Sequence, residues 1–206
     1  MDMADRDLLV AWRAGDRGAG GQIIDRHYKS LHRFFCNKVG SADEVEELVQ
    51  RCFMGAVEGL VRFRADASVR TWLFAIARNI LRQWIDEQVR KRSREAPAVS
   101  SVADLGAGAS TLVGKRREQR LLLEALRHIP IESQLILELS YWERLTAKQI
   151  GEVLDCPEGT ARSRVRKAKQ ELRGTLDGLA RTAGELESTV NGLDDWAKQI
   201  RVAWGV

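Results

Sequence analysis

From Ser41 to Arg92, and again from Lys115 to Arg173, apolar side chains return every three or four residues and nowhere alternate over a strand's length. That period belongs to helices with one buried face. Proline, the strongest helix breaker, occurs only three times in 206 residues. An all-α fold is therefore expected. The periodicity stops between the two runs, at SREAPAVSSVADLGAGASTLVG (93–114), which is rich in Ala, Gly, Ser and Val and poor in charge. Such a composition suits a flexible linker. The chain thus divides into a helical domain at 1–92, a linker at 93–114, a second helical domain at 115–175 and a C-terminal tail at 176–206.

Charge is unevenly spread over this plan. The net charge is +4, yet 62–94 alone carries +6 and 115–175 carries +4, while the remaining segments are acidic. Two separated basic islands suit two contacts with a polyanion. Other classes are disfavoured. No apolar run is long enough to span a bilayer, and the acidic, mixed start MDMADRDLLVAWRAGDR resembles no targeting peptide, so a cytoplasmic protein without membrane insertion is expected. Cys36, Cys52 and Cys156 are far apart and form no CxxC, so inert thiols are expected. His27, His32 and Cys36 could share a helix side, but they lack a fourth ligand and match no zinc spacing. No metal or cofactor is expected. No nucleophile–base set or phosphate-cradling glycine loop is evident, so the chain does not read as an enzyme.

In the first domain, SADEVEELVQRCFMGAVEGL opens with a capping box formed by Ser41 and Glu44. Val45, Leu48, Val49, Cys52, Phe53, Ala56 and Leu60 make its apolar face, while Glu46, Glu47, Gln50 and Met54 point elsewhere. FRADAS reads as a loop, and Ser68 can cap a helix from about Val69 to Arg92. Trp72, Leu73, Ile76, Ile80 and Trp84 lie near one side of that helix, and Arg70, Arg78, Arg82, Arg90, Lys91 and Arg92 supply charge. Aromatics among arginines suit nucleic acid, because bases stack on rings and guanidinium groups meet phosphates. Trp72 and Phe74 also fit a core; Phe63, in the loop, fits a ligand contact.

The second domain begins with two amphipathic segments, LLLEALRHIP and IESQLILELSYWERL. TAKQIGEVL follows as a short helix with a Thr146–Gln149 capping box. DCPEG is a turn, and Thr160 is expected to cap the last helix. There Ala161, Val165, Ala168 and Leu172 form an inner stripe, opposite Arg162, Arg166, Lys169 and Arg173 and beside Ser163 and Lys167. A short helix, a turn and a helix with a basic outer face make a helix-turn-helix, whose second helix fits the DNA major groove. Arginine there can fork onto guanine while lysine and serine hold phosphates.

These features together resemble the extracytoplasmic-function (ECF) sigma factors, the small two-domain initiation subunits of bacterial RNA polymerase. The resemblance is carried by EELVQRCF (46–53), FRADASVRTWLFAIARN (63–79) and LTAKQIGEVLDCPEGTARSRVRKAKQEL (145–172), and covers about 8–92 and 118–174. It implies a subunit that directs promoter-specific initiation, with bacterial RNA polymerase core and promoter DNA as partners. Glu46, Glu47, Gln50 and Met54 would dock on the clamp helices of the polymerase's largest subunit. Phe63, Arg64, Ser68, Arg70, Asn79 and Arg82 would form the loop and pocket that capture a base flipped from the minus-ten element. Thr160, Arg162, Ser163, Arg164, Arg166 and Lys167 would read the minus-thirty-five element. The linker would pass through the RNA exit channel. Family members are often held by an anti-sigma protein between the two domains, so such a regulator is a further partner the resemblance admits. Gln83, Asp86 and Glu87 stand where the family usually has an aspartate and paired arginines, which implies shifted or weaker phosphate contacts along this helix.

The tail lies outside the resemblance. Leu176, Leu179, Ala183, Leu186, Val190, Leu193, Ala197, Ile200 and Trp204 step by three and four, but Gly178, Gly184 and Gly192 each weaken a helix by about 1 kcal/mol. Two readings follow: the tail docks on one of the two domains or on a regulator, or it simply extends the last helix with frayed ends. A stand-alone helix-turn-helix regulator is the alternative function; it accounts for 118–173 but not for the first domain.

Overall fold

A computed structural model describes residues 4–36, 38–63, 67–91, 117–180 and 198. The expected linker, Arg64 and almost all of the tail beyond Ala180 fall outside the described residues. Among those described there are eight helices and no strand: α1 (Asp5–Arg13), α2 (Arg17–Cys36), α3 (Ala42–Gly59), α4 (Val69–Lys91), α5 (Arg117–His128), α6 (Ile131–Tyr141), α7 (Ala147–Leu154) and α8 (Glu158–Leu179).

The first unit is α1–α4. Its core joins the expected face of α3 (Val45, Leu48, Val49, Cys52, Phe53 and Ala56) to Leu73, Phe74, Ile80 and Trp84 of α4, and adds Ala77 and Leu81 of α4 and Ile23, Leu31, Phe34 and Phe35 of α2, which were not expected; Trp72 and Ile76 are only half-buried. Burial pushes the Cys52 thiol up to about 12, so at neutral pH it stays a protonated, inert apolar filler. Asp5 ties α1 to α2 by accepting from Arg26 (3.0 Å) and pairing with His27 (2.7 Å). Burial alone would raise Asp5, but these two partners outweigh it and hold the carboxyl below its usual value. Gly20 permits a close crossing here, since a Cβ would lie 2.5 Å from Trp12 Nε1. Ser41 accepts from the Glu44 amide at 3.5 Å; the reciprocal half of the expected capping box is not formed among the described residues, because Glu44 makes no bond back to the Ser41 amide. Ser68 caps α4 as expected, accepting from the Thr71 amide at 3.0 Å.

The second unit is α5–α8. Leu122, Ala125 and Leu126 of α5, Leu135, Ile136 and Leu139 of α6, Ile150, Val153 and Leu154 of α7 and Ala161, Ala168, Leu172 and Leu176 of α8 form its core. α8 runs through Leu179, four residues past the expected end of this domain. The two units are packed together: α4 lies against α7, and side chains from α2, the segment after it and α4 reach α6 and the residues that follow it.

Candidate nucleic-acid interface

The helix-turn-helix is made by α7 and α8. Both halves of the α7 capping box form: Thr146 accepts from the Gln149 amide at 3.3 Å, and Gln149 Oε1 accepts from the Thr146 amide at 2.9 Å. Asp155 ends α7 in the left-handed region (φ 53), one of the few non-glycine types that tolerate it. The turn then folds back so closely that a Cβ on Gly151 would meet the Cys156 carbonyl oxygen at 2.6 Å. Only glycine lets the two backbones approach this far.

One expectation about α8 is corrected. Thr160 does not cap it; the helix starts at Glu158, the N-cap is Pro157, and no side chain caps that end. Proline supplies an extended backbone before the first turn and has no amide to satisfy, and the Glu158 carboxylate complements the positive end of the helix dipole. Thr160 is an exposed first-turn residue.

Along α8, Ala161, Ala168, Leu172 and Leu176 are buried, and Val165 is half-buried. Arg162, Ser163, Arg166 and Lys167 are exposed and Arg164 is half-buried, so five of the six candidate side chains crowd one and a half turns. Their present partners are local. Arg162 is 73 % exposed and pairs with Glu158 at 2.5 Å; Lys167 lies 3.6 Å from Glu171. Exposed i,i+4 pairs of this kind hold together by about 0.3–0.5 kcal/mol, so a phosphate or guanine edge displaces them at small cost. The Ser163 hydroxyl donates to the Gly159 carbonyl (3.1 Å) and must release it to donate elsewhere. Lys169 is exposed, with its Nζ over the Tyr141 ring, 5.0 Å from the centroid.

The candidates of the first unit fall into two places. Phe63 stacks on Trp72 (centroids 4.5 Å, planes 24° apart), and the Ser68 hydroxyl sits 2.8 Å from that of Thr71. Arg70 follows on the first turn of α4, but its guanidinium is bound to Glu143 of the second unit. Asn79 and Arg82 share an exposed face three residues apart, roughly 14 Å further along the axis at 1.5 Å per residue. Gln83, one of the departures noted above, accepts from Arg51 (3.2 Å) instead of facing phosphate as an arginine would. The loop is also tied from an unexpected side: Arg13 of α1 donates to the carbonyls of Val61 (3.1 Å) and Phe63 (3.2 Å).

On α3 the side chains of Glu46, Glu47, Gln50 and Met54 are all exposed, with Val57 beside them. Tyr28 of α2 donates to both Glu46 oxygens (2.6 and 2.8 Å), and His32 lies 3.3 Å from the same carboxylate. The hydrogen bond to Glu46 is the main reason the Tyr28 hydroxyl is pushed up to about 12. Cys36 contacts His32 at 3.3 Å, whereas His27 faces Asp5. Among the described residues no group of three or more His, Cys, Asp and Glu could hold a metal, and no helix is long and apolar enough to cross a membrane.

Comparison with known proteins matches this geometry to a family. The family model for Sigma-70 region 2 covers residues 23–95, and that for Sigma-70 region 4 covers residues 119–172. Together they span more than half of the chain. It belongs to the ECF sigma factors. The ECF RNA polymerase sigma-E factor of Escherichia coli is 26 % identical over 187 residues, covering 87 % of this chain and 97 % of that protein. The Haemophilus influenzae sigma-E factor is 23 % identical over 185 residues, covering 86 % and 97 %. Two solved structures share the fold: CnrH in complex with the cytosolic domain of CnrY (TM-score 0.63, 22 % identity, 86 % of this chain and all of that one) and the sigma factor RpoE in complex with the anti-sigma factor NepR from Bartonella quintana (TM-score 0.60, 21 % identity, 76 % and 96 %). This ECF sigma factor directs promoter-specific transcription by RNA polymerase, and promoter DNA and the polymerase are its partners.

Four side chains with a role in the arrangement of this sigma factor escaped the reading of the sequence: Arg33, Lys38, Glu138 and Glu143. All four are buried, and they join the region 2 unit to the region 4 unit. A signal was present. Glu138 interrupts the apolar run LILEL, and Lys38 follows the aromatic pair of RFFCNKV. Charges at such places are buried only when paired.

Proposed function

We propose that α8 reads the minus-thirty-five element through Arg162, Ser163, Arg164, Arg166 and Lys167, with Thr160 at its N-terminal end. The observation that carries this reading is the two-faced build of α8, buried through Ala161, Ala168 and Leu172 and basic on the face turned to solvent. In the first unit, Asn79 and Arg82 form the exposed part of the minus-ten surface. Phe63, Arg64, Ser68 and Arg70 form the loop end of it. A pocket that binds only an extruded base helps offset the few kcal/mol of unstacking at each melted step. Glu46, Glu47, Gln50 and Met54 form the face that docks on the clamp helices of the polymerase's largest subunit, with Tyr28 and His32 fixing the rotamer of Glu46.

The domain plan follows from these roles: 1–92 binds core and opens the minus-ten element, 93–114 links, 115–175 reads the upstream element, and 176–206 is a C-terminal extension. Each DNA contact can be weak alone, because polymerase holds both units and raises their effective concentration on one promoter. The chain works in the cytoplasm and supplies no catalytic group; phosphodiester chemistry belongs to the polymerase. The relative captured with an anti-sigma factor makes a protein inhibitor a fitting further partner for this chain.

Run-off transcription with purified core on a random promoter library tests the proposal. Enrichment of two boxes at a fixed spacing is the expected result. A chain that ignores core yet binds DNA tightly and selectively unaided would be a stand-alone regulator instead.

A further inference from the structure

The contact between the two units carries two buried ion-pair clusters. Glu143, 4 % exposed, accepts from Arg33 Nε at 3.1 Å and from Arg33 Nη2 with one oxygen, and from Arg70 Nη2 with the other. Glu138, 2 % exposed, accepts from Lys38 Nζ and from Gln134 (3.0 Å). Lys38 also donates to the Phe34 carbonyl (2.8 Å) and lies over the Phe34 ring, 4.1 Å from its centroid. At the rim, Arg78 faces Glu132 at 3.7 Å. Every one of these cations belongs to the first unit and every anion to the second.

Such an interface has two physical properties. Burying charge costs several kcal/mol per ion, which mutual attraction barely returns, so hydrophobic substitutes of equal volume are often more stable. An interface built this way holds while it is dry and complete, and it releases readily once water or a competing anion enters. It also engages Arg70, a guanidinium of the minus-ten surface. The Glu143 carboxylate occupies the Nη2 side of that guanidinium, so in the packed form it competes with a DNA phosphate for Arg70.

We infer that the packed arrangement is an autoinhibited state of the free sigma factor, closed by Glu138 and Glu143 of the second unit on Arg33, Lys38 and Arg70 of the first. Polymerase and promoter phosphates open it. The inference rests on the sigma-factor roles proposed above and adds a regulation of the same surfaces. It needs no second protein: the chain carries its own acidic competitor for DNA.

Two variants of the full chain separate the outcomes. Glu143→Gln keeps the shape and removes the charge shared by Arg33 and Arg70. Lys38→Met combined with Glu138→Leu removes a buried pair but keeps its volume. Small-angle scattering reads compaction of the free protein, and run-off transcription with core polymerase reads output. Glu143→Gln should enlarge the radius of gyration and reach half-maximal output at about tenfold lower sigma concentration, because the competent fraction rises. The double variant should stay compact even at high salt and need more protein for the same output. Far-UV circular dichroism checks that helices persist; if Glu143→Gln loses them, Glu138→Gln takes its place. Unchanged radius in the charge-removed variant, or expansion without a gain in output, overturns the inference. Failure of the wild-type chain to give any transcript with core would overturn the sigma-factor roles instead, while its compaction would still be read from scattering.

Discussion

Replacing Gly151 by alanine inserts one methyl group between α7 and the turn that follows it. The new Cβ would lie 2.6 Å from the Cys156 carbonyl oxygen and 3.6 Å from the Glu158 amide nitrogen. Both atoms are backbone, so no side chain can swing aside, and the turn must move away from α7. Overpacking of this kind costs about 1–3 kcal/mol, and a backbone obstacle places it near about 3 kcal/mol. Alanine's higher helix propensity returns about 1 kcal/mol, leaving a net loss of about 2 kcal/mol. Gly174 is the matched control: it lies inside α8, and its added Cβ meets nothing within 4 Å. Gly174→Ala should therefore stabilise by about 1 kcal/mol. The same chemical change then differs by about 3 kcal/mol between two positions of one domain. Thermal melts of the full chain followed by circular dichroism read the difference, at about 2–4 °C per kcal/mol for a chain of this size. The displaced turn should also tilt α8 and lower promoter output at temperatures where the variant is still folded. If Gly151→Ala melts at or above the wild type, the close approach of the two backbones is not what demands glycine there, and the account of the turn fails.

Arg162→Ala should lower transcription by about 1–3 kcal/mol in a manner that depends on the upstream box if the side chain reads a base; equal loss on every upstream sequence reassigns it to phosphate. Asn79→Ala should slow opening more than closed-complex formation, so permanganate reactivity at the minus-ten element falls while footprint protection stays; normal reactivity removes Asn79 from the base pocket. Thr146→Ala takes away one half of the α7 capping box and should cost about 1 kcal/mol in a urea melt, and an unchanged midpoint would mean that the cap is dispensable. Asp5 has a carboxyl held below its usual value, so its contribution to stability is complete above about pH 4 and disappears as pH falls through the lower, folded-state value. Asp5→Asn should thus melt below the wild type at pH 7, and the two should converge in acid; a constant gap down to low pH would deny the charge its part.

The helix-turn-helix was legible because its signals are local. Thr146 and Gln149 are three residues apart, and the apolar and basic stripes of α8 are written at helical spacing, so each could be read from a dozen neighbouring residues. The start of α8 was misread for the same reason. Threonine is a strong capping type, but Pro157 had already set the extended backbone from which the helix begins, three residues earlier. Phe63 stacks on Trp72 of the next helix, a contact that the helical period of α4 does not specify, because Phe63 lies outside that helix. The local sequence hints that Lys38 and Glu138 are buried, but not which charges they meet, because the partners of Arg33 and Lys38 lie about a hundred residues away. Sequence spacing carries no information about which helix of a second domain will cover a given charge.

Arg13 holds the backbone of Val61 and Phe63 from α1. The loop proposed above to capture an extruded base is therefore braced from outside, by an arginine that is not among the proposed DNA-contact residues. Removing that guanidinium, as in Arg13→Ala, should loosen the loop although the side chain lies about fifty positions before it in the sequence.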